Sequence, residues 1–291
     1  MKYQIKNDKL QVEIMDLGAQ MCSVKDAEGT EYLWQGDPNY WGDMAPNLFP
    51  YIARMTDKKY TVYGKTYEMD IHGFAKDTVF NVEKKSENHI VFSITDSQIT
   101  LEQYPFAFLF EIDYRLEDNR LLVTYGVKNK DNKTMYFGVG GHPGFNVPLE
   151  EGLNFEDYYL EFDTVEPVKH IGFSDDCFVT GKDIPYELKN GTGIELRHDL
   201  FDNDAIILGG MSKGVTLKSD KGKKSIHVTY PDMSYLGLWH WPKTDAPYIC
   251  IEPWSSLPSR KGIVEDLAMQ PGLVTLDANG EYYNRFVIEI E

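Results

Sequence analysis

The stretch FLFEIDYRLEDNRLLVTYGV, residues 108–127, decides the fold. Phe108, Phe110, Ile112, Tyr114 and Leu116 recur at every second position, break at Glu117-Asp118-Asn119, and resume as Leu121, Val123, Tyr125 and Val127. A period of two places alternate side chains on one face of an extended strand, so this is a hairpin with one face against a core and the other toward water.

Working outward, the same alternation predicts further pairs. Tyr3 to Ile5 faces Val12 to Ile14 across Asn7-Asp8, Thr61 to Tyr63 faces Thr66 to Met69 across Gly64-Lys65, and Val79 to Val82 faces Ile90 to Ile94 across Ser86 to Asn88. Later in the chain Ile226 to Tyr230, Leu236 to Trp239, Tyr248 to Ile251 and Phe286 to Ile290 continue the pattern. Helical periodicity is confined to two short candidates, Ile263 to Ala268 and Gln98 to Tyr104. Many strands with short turns predict an all-β fold, a large antiparallel sandwich or barrel with few short helices. No Pro/Ser-rich linker, low-complexity tract or internal repeat interrupts the pattern, which predicts a single domain over residues 1–291.

The 46 acidic residues outnumber the 29 basic ones, giving a formal charge of −17 that repels phosphate backbones and anionic membranes. Nucleic acid and membrane surfaces are therefore not expected partners. The densest basic stretch, Lys221 to Lys224, is broken by Gly222 and reads as a solvated turn. Cys22, Cys177 and Cys250 are odd in number and lack the spacing of a zinc site or disulfide framework, which fits a reducing cytoplasm. No signal-peptide core and no run of 18 apolar residues is present.

An all-β fold names no function, so the chemistry must be sought in sites. In Gly138-Val139-Gly140-Gly141-His142-Pro143-Gly144, proline biases His142 toward extended backbone, and the surrounding glycines leave a ligand room to approach the ring. A merely exposed turn histidine is the competing reading. In Tyr248-Ile249-Cys250-Ile251-Glu252-Pro253-Trp254, Cys250 and Glu252 share one face of an apolar strand. Burial there raises the glutamate toward the range useful to a general base; a strand-end glutamate reaching water is the alternative. Arg54 is the lone charge in Asn47-Leu48-Phe49-Pro50-Tyr51-Ile52-Ala53-Arg54, placed to grip sugar hydroxyls or a carboxylate or else simply exposed on a loop. His72, before Gly73, follows a strand, where a lone histidine is more often structural. Asp204 precedes the apolar Ile206-Ile207-Leu208 run, where a ligand contact and a turn-forming role are equally expected. No nucleophile elbow, phosphate-binding glycine fingerprint or His-x-x-x-His zinc pair occurs; a metal site assembled from residues distant in sequence stays open, but nothing in the spacing asks for one.

In this order the segments resemble the aldose 1-epimerase (galactose mutarotase-like) family, in particular its galactose mutarotase-related, LacX-type branch. Asn47 to Arg54, the hairpin at Gly64-Lys65, His72-Gly73, the His-x-x-Phe-Asn run at His142, the Asp204 segment, the Leu-x-Leu-Trp strand at Trp239, the Cys-Ile-Glu strand at Glu252 and the closing Leu276 to Glu281 follow one another over nearly the whole chain. The resemblance implies a galactose mutarotase-like supersandwich that interconverts the α and β anomers of an aldose without a cofactor. It assigns Glu252 as general base and His142 as general acid, with Arg54, His72 and Asp204 orienting the sugar. Trp239 and Trp254 offer rings for stacking on the sugar's apolar face, with core packing as the competing role. On this view the base is ionised and the acid protonated, so opposite environments set the two apart.

Two positions depart from the mutarotase pattern. His72-Gly73 runs into Phe74 without a second glycine, and Trp254 stands where glutamine often follows the base, which implies a reshaped pocket. Two alternatives accompany the epimerase: a non-catalytic carbohydrate-binding or sensor protein, and a hexose-6-phosphate epimerase drawing on Arg260-Lys261 or Lys58-Lys59 near the rim.

Overall fold

The hairpin that opened the sequence reading is formed by strands Phe108–Glu117 and Arg120–Asn129, paired from Glu117 opposite Arg120 outward. The computed structural model describes residues 1–164 and 167–291. In the strand Phe108–Glu117 the residues Phe108, Phe110, Ile112, Tyr114 and Leu116 are buried, whereas their neighbours Glu111, Asp113 and Arg115 reach the surface.

This hairpin lies within a nine-stranded sheet that runs from Gly193–Glu195 at one edge to Asn81–Lys85 at the other. The strand Glu281–Ile290 sits inside that sheet, antiparallel to Arg120–Asn129 on one side and to Ile226–Thr229 on the other. A second, eight-stranded sheet is built around Tyr248–Trp254, which pairs with Tyr235–Trp239 and with the short segments Gly140–Gly141 and Gly144–Asn146. Smaller sheets include Lys2–Lys6, Leu10–Met15 and Met21–Asp26. The fold is all-β, and the hairpins expected at Tyr3, Thr61 and Val79 all form, with edges shifted by a residue or two.

The two large sheets are locked together by aromatic rings. Phe49, fully buried beside the short strand Asn47–Leu48, stacks on Phe110 of the nine-stranded sheet at a centroid distance of 4.3 Å and also meets Phe74, Phe108 and Phe137. A polar pin lies beside it. Tyr125 donates to the Asn47 side-chain oxygen at 2.7 Å, and the Asn47 amide donates to the Tyr114 hydroxyl at 3.0 Å. Buried polar groups that answer one another in this way fix the sheets in one relative position.

Of the two helical candidates one forms. Gln98–Gln103 is an α-helix closed by a capping box, in which Ser97 Oγ accepts from Thr100 N–H at 3.2 Å and Thr100 Oγ1 accepts from Ser97 N–H at 2.7 Å. The segment Ile263 to Ala268 is not helical: Glu265–Asp266 pairs in parallel with Tyr60 and Thr61, and the Glu265 carboxylate accepts both the Arg260 guanidinium and its backbone N–H. Strand pairing and a bidentate ion pair override its local periodicity. Among the described residues no helix is long and apolar enough to cross a membrane.

Replacing Phe49 by alanine removes the ring that joins the sheets, and the expected loss of unfolding free energy is about 3–5 kcal/mol. Urea denaturation followed by fluorescence measures it; an unchanged midpoint would refute the locking role.

Candidate functional site

Sheet register brings the two principal candidates face to face. Gly140 lies opposite Trp254 and Gly144 opposite Cys250, so His142, in the gap between the two short strands, and Glu252, midway along the facing one, must meet. The histidine is pinned there by its backbone N–H donating to Pro46 O at 3.0 Å and by Ile251 N–H donating to Pro143 O at 3.2 Å. His142 Nε2 stands 3.2 Å from Glu252 Oε2, although the approach is too oblique for a hydrogen bond. Strand alternation sends Ile249 and Ile251 into the main core and Cys250 and Glu252 to the opposite face. Glycine at Gly237, directly across from Glu252, makes room: a Cβ there would come within 3.2 Å of the glutamate Cβ and 3.3 Å of the Trp254 ring.

Both groups open into a cavity of about 470 Å³. Its walls carry Trp41, Trp239, Trp241 and Trp254, and the His142 ring is held between Trp41 at 4.9 Å, Trp239 at 5.6 Å and His72 at 5.6 Å. Arg54 and Lys76 supply its cations; Asp43 and Asp204 supply carboxylates besides Glu252. All six residues singled out in sequence, Glu252, His142, Arg54, His72, Asp204 and Trp239, line this one cavity.

The rim is backbone-strained. Ala53, His72, Cys177 and Asp204 line the cavity and all have positive φ, a conformation that L-residues adopt at a cost and that clusters where side chains must be aimed. His72 and Ala53 exchange hydrogen bonds: His72 N–H donates to Ala53 O at 3.0 Å, and Ala53 N–H donates to His72 Nδ1 at 3.1 Å. With Nδ1 accepting, the uncharged ring carries its proton on Nε2. The turn closes through Gly73, where a Cβ would lie 2.3 Å from Phe49 O. Asp204 is gripped from two sides, by Ala205 N–H at 2.8 Å and by the Cys177 thiol at 3.0 Å.

Burial sets the electrostatics. It holds the Glu252 carboxyl well above its ordinary range, with Asp204 adding to the rise and the Trp254 indole acting against it. That opposing pull is weak, because the indole N–H has no aligned acceptor among the described residues. Burial pushes the His142 imidazole down to about 4, while a backbone hydrogen bond and the Asp204 charge pull the other way. Burial likewise drives His72 well below its usual value, helped by His142, Lys76 and Arg54. The thiol of Cys177 is pushed up to about 12 by burial and by its bond to Asp204. The sequence reading expects an ionised base beside a protonated acid. The environment instead favours the neutral pair, a carboxylic acid beside an uncharged imidazole, because desolvation penalises both charges at once.

Trp41, Asp43, Lys76, Cys177 and Trp241 also line the cavity and were missed in sequence. Only Trp41, an aromatic beside Gly42 and Asp43 in a loop-like run, carried a local signal. The four cations that a sugar phosphate would need are engaged elsewhere: Arg260 with Glu265 at 2.8 Å, Lys58 with Asp70 at 2.6 Å, Lys59 with Glu68 at 3.6 Å, and Lys261 with Asp176. None of them lines the cavity.

Comparison with known proteins places this architecture. The sequence model described as aldose 1-epimerase matches residues 1–266. The chromosomal protein LacX of Lactococcus lactis subsp. lactis is 34% identical over 296 residues, covering 98% of each chain. A galactose mutarotase related enzyme from Lactobacillus acidophilus is 36% identical with a TM-score of 0.94, over 100% of this chain and 97% of that one. A galactose mutarotase-like protein from Lactobacillus casei ATCC 334 is 33% identical with a TM-score of 0.95, covering both chains fully.

A raised carboxyl pKa makes Glu252 a stability liability with a definite pH signature. Its burial is harmless below its ordinary pKa of 4.5, where folded and unfolded chains are both protonated, and its cost grows as pH rises toward the folded-state value. Glu252→Gln should therefore stabilise the fold relative to wild type by an increment that widens from pH 5 to pH 8. Denaturant melts across that range measure it; a difference independent of pH would contradict the buried, desolvated carboxyl.

Proposed function

The chain belongs to the aldose 1-epimerase family, and on that premise we propose that it interconverts the α and β anomers of a free hexose by acid–base ring opening and reclosure. The observation that carries this reading is the 3.2 Å contact between Glu252 and His142 at the base of a tryptophan-walled cavity. One domain, residues 1–291, supplies every group. The three free thiols favour a reducing cytoplasm as its setting.

Ring opening removes one proton from the C1 hydroxyl and delivers one to O5 as the C1–O5 bond breaks. With the sugar bound, a proton passes from Glu252 to His142, leaving a carboxylate and an imidazolium. Glu252 takes the C1–OH proton, the C1 oxygen becomes the aldehyde carbonyl, and His142 protonates O5. The pair is then a carboxylic acid and a neutral imidazole. Rotation about C1–C2 and reclosure with the roles reversed yields the other anomer. Desolvation makes Glu252 a stronger base and the His142 imidazolium a stronger acid, so the environment favours the protonation state that accompanies the open-chain sugar. Asp204, which raises the histidine's affinity for a proton, tempers the cost of the imidazolium. Arg54 and the His72 Nε2–H orient hydroxyls, and the tryptophans cover the sugar's C–H faces.

A neutral sugar suits this cavity better than a phosphorylated one. Its two cations face three carboxylates, and Lys76 is already paired with Asp77 at 2.6 Å. A binding protein without turnover would use the same walls, and kinetics separate the two.

Polarimetry of freshly dissolved α-galactose and α-glucose should show accelerated decay with the protein present. Glu252→Gln and His142→Gln are each expected to lower kcat by about 10²–10⁴; full activity in either variant would reject that residue's role. The reactive pair holds one transferable proton between the pKa of the histidine and that of the glutamate. Activity should accordingly fall below pH of about 4, as a second proton binds, and again above the elevated carboxyl pKa, as the last is lost. An acid limb that coincided with ordinary histidine titration would count against the buried pair.

A further inference from the structure

We propose that His142, Cys250 and Glu252 form a three-ligand site for a single zinc-like dication at the base of the cavity. One ligand atom from each, a nitrogen, a sulfur and an oxygen, lies within 4.8 Å of the other two. Tetrahedral zinc with bonds of about 2.0–2.3 Å sets its ligands roughly 3.3–3.7 Å apart. The His142 to Glu252 separation of 3.2 Å is close to this, and the thiol, within 4.8 Å of both, would close in by at most about 1 Å to reach it.

Three further observations point to a cation. The strand Tyr248–Trp254 presents Cys250 and Glu252 on the same face, and the register seats His142 opposite the glutamate, so the donors converge from two strands of a rigid sheet. Glu252 Oε2, one of the two atoms of that 3.2 Å contact, is buried without a hydrogen-bond partner among the described residues, on a side chain that faces the cavity. The charges also balance: a thiolate and a carboxylate neutralise a dication, so the buried site carries no net charge. Sulfur and imidazole donors with one carboxylate select zinc over magnesium or calcium, which require oxygen cages. Glu252 and His142 line the cavity, whereas Cys250 is fully buried and does not. Binding releases the Cys250 thiol proton and the Glu252 carboxyl proton to solvent, so affinity rises with pH.

The site stands independently of turnover. On the reading proposed above, a bound cation engages both proton carriers, so zinc acts as a reversible inhibitor.

The test uses the full-length, chelator-treated protein titrated with Co²⁺ and then Zn²⁺. One equivalent of Co²⁺ should produce a near-ultraviolet thiolate-to-cobalt charge-transfer band that Zn²⁺ abolishes. Cys250→Ser should lose the band, whereas Glu252→Gln should keep it with affinity weakened by more than about tenfold. Absence of saturable binding, persistence of the band without Cys250, or unchanged affinity in Glu252→Gln would each overturn the site. These readouts are spectroscopic, so a protein inert in polarimetry can still bind the metal, and an active one can fail to.

Discussion

The desolvated meeting of Glu252 and His142 is the constraint around which the remainder of the molecule is arranged. A carboxyl that is only 1% exposed demands neighbours that do not move, because any slack would admit water and dissipate its altered proton affinity. The sheet provides this rigidity. All seven residues of Tyr248–Trp254 are buried, its inner face joins the main core, and its outer face is walled by tryptophans and Tyr248. Glycine at Gly237 leaves room for the glutamate and Trp254, which a Cβ would crowd at 3.2–3.3 Å, and at Gly140 a Cβ would lie 2.8 Å from Pro253 O. The site is paid for by the aromatic lock between the sheets, which holds in place a pair that is unfavourable to bury.

On the proposed reading, the tryptophan walls and the strained rim would divide the work of recognition. Flat indole faces offer area for the C–H surface of a sugar without demanding one pattern of hydroxyls. Directional contacts would come from the rim, where Ala53, His72, Cys177 and Asp204 adopt positive φ and hydrogen-bond one another in pairs. Trp254, in place of the glutamine that often follows the base in mutarotases, exchanges a hydrogen-bonding side chain for an aromatic one at the cavity's base. That exchange shifts the balance further toward shape.

Much of the fold was legible because antiparallel strands with one wet face write their period directly into the sequence, as Phe108 to Leu116 does. The segment at Ile263 was misread because its structure is dictated from outside, by Tyr60 and Thr61 and by Arg260. Cavity-lining residues were legible where backbone needs and chemistry coincide, as at His142 before proline and Glu252 within an apolar strand. Lys76, Cys177 and Trp241 were invisible, since a lysine in a single 3-10 turn and a cysteine and a tryptophan in loops carry no local mark of the cavity they line. The neutral protonation state was equally hidden: it depends on how completely both partners are buried, a property of the assembled sheets. The face that Cys250 shares with Glu252 is legible, but its proximity to His142 is not, because that arises from register between segments distant in sequence.

The placement of Glu281–Ile290 between Arg120–Asn129 and Ile226–Thr229 bears on how the protein is made. Strands that flank it in the finished sheet leave the ribosome well before it does, so the slot between them is filled by a segment synthesised only after both. Until it arrives, Arg120–Asn129 exposes an unpaired edge, the kind of surface that recruits other nascent chains. The nine-stranded sheet therefore closes only after translation has passed residue 290, and until then each of its halves keeps an open edge.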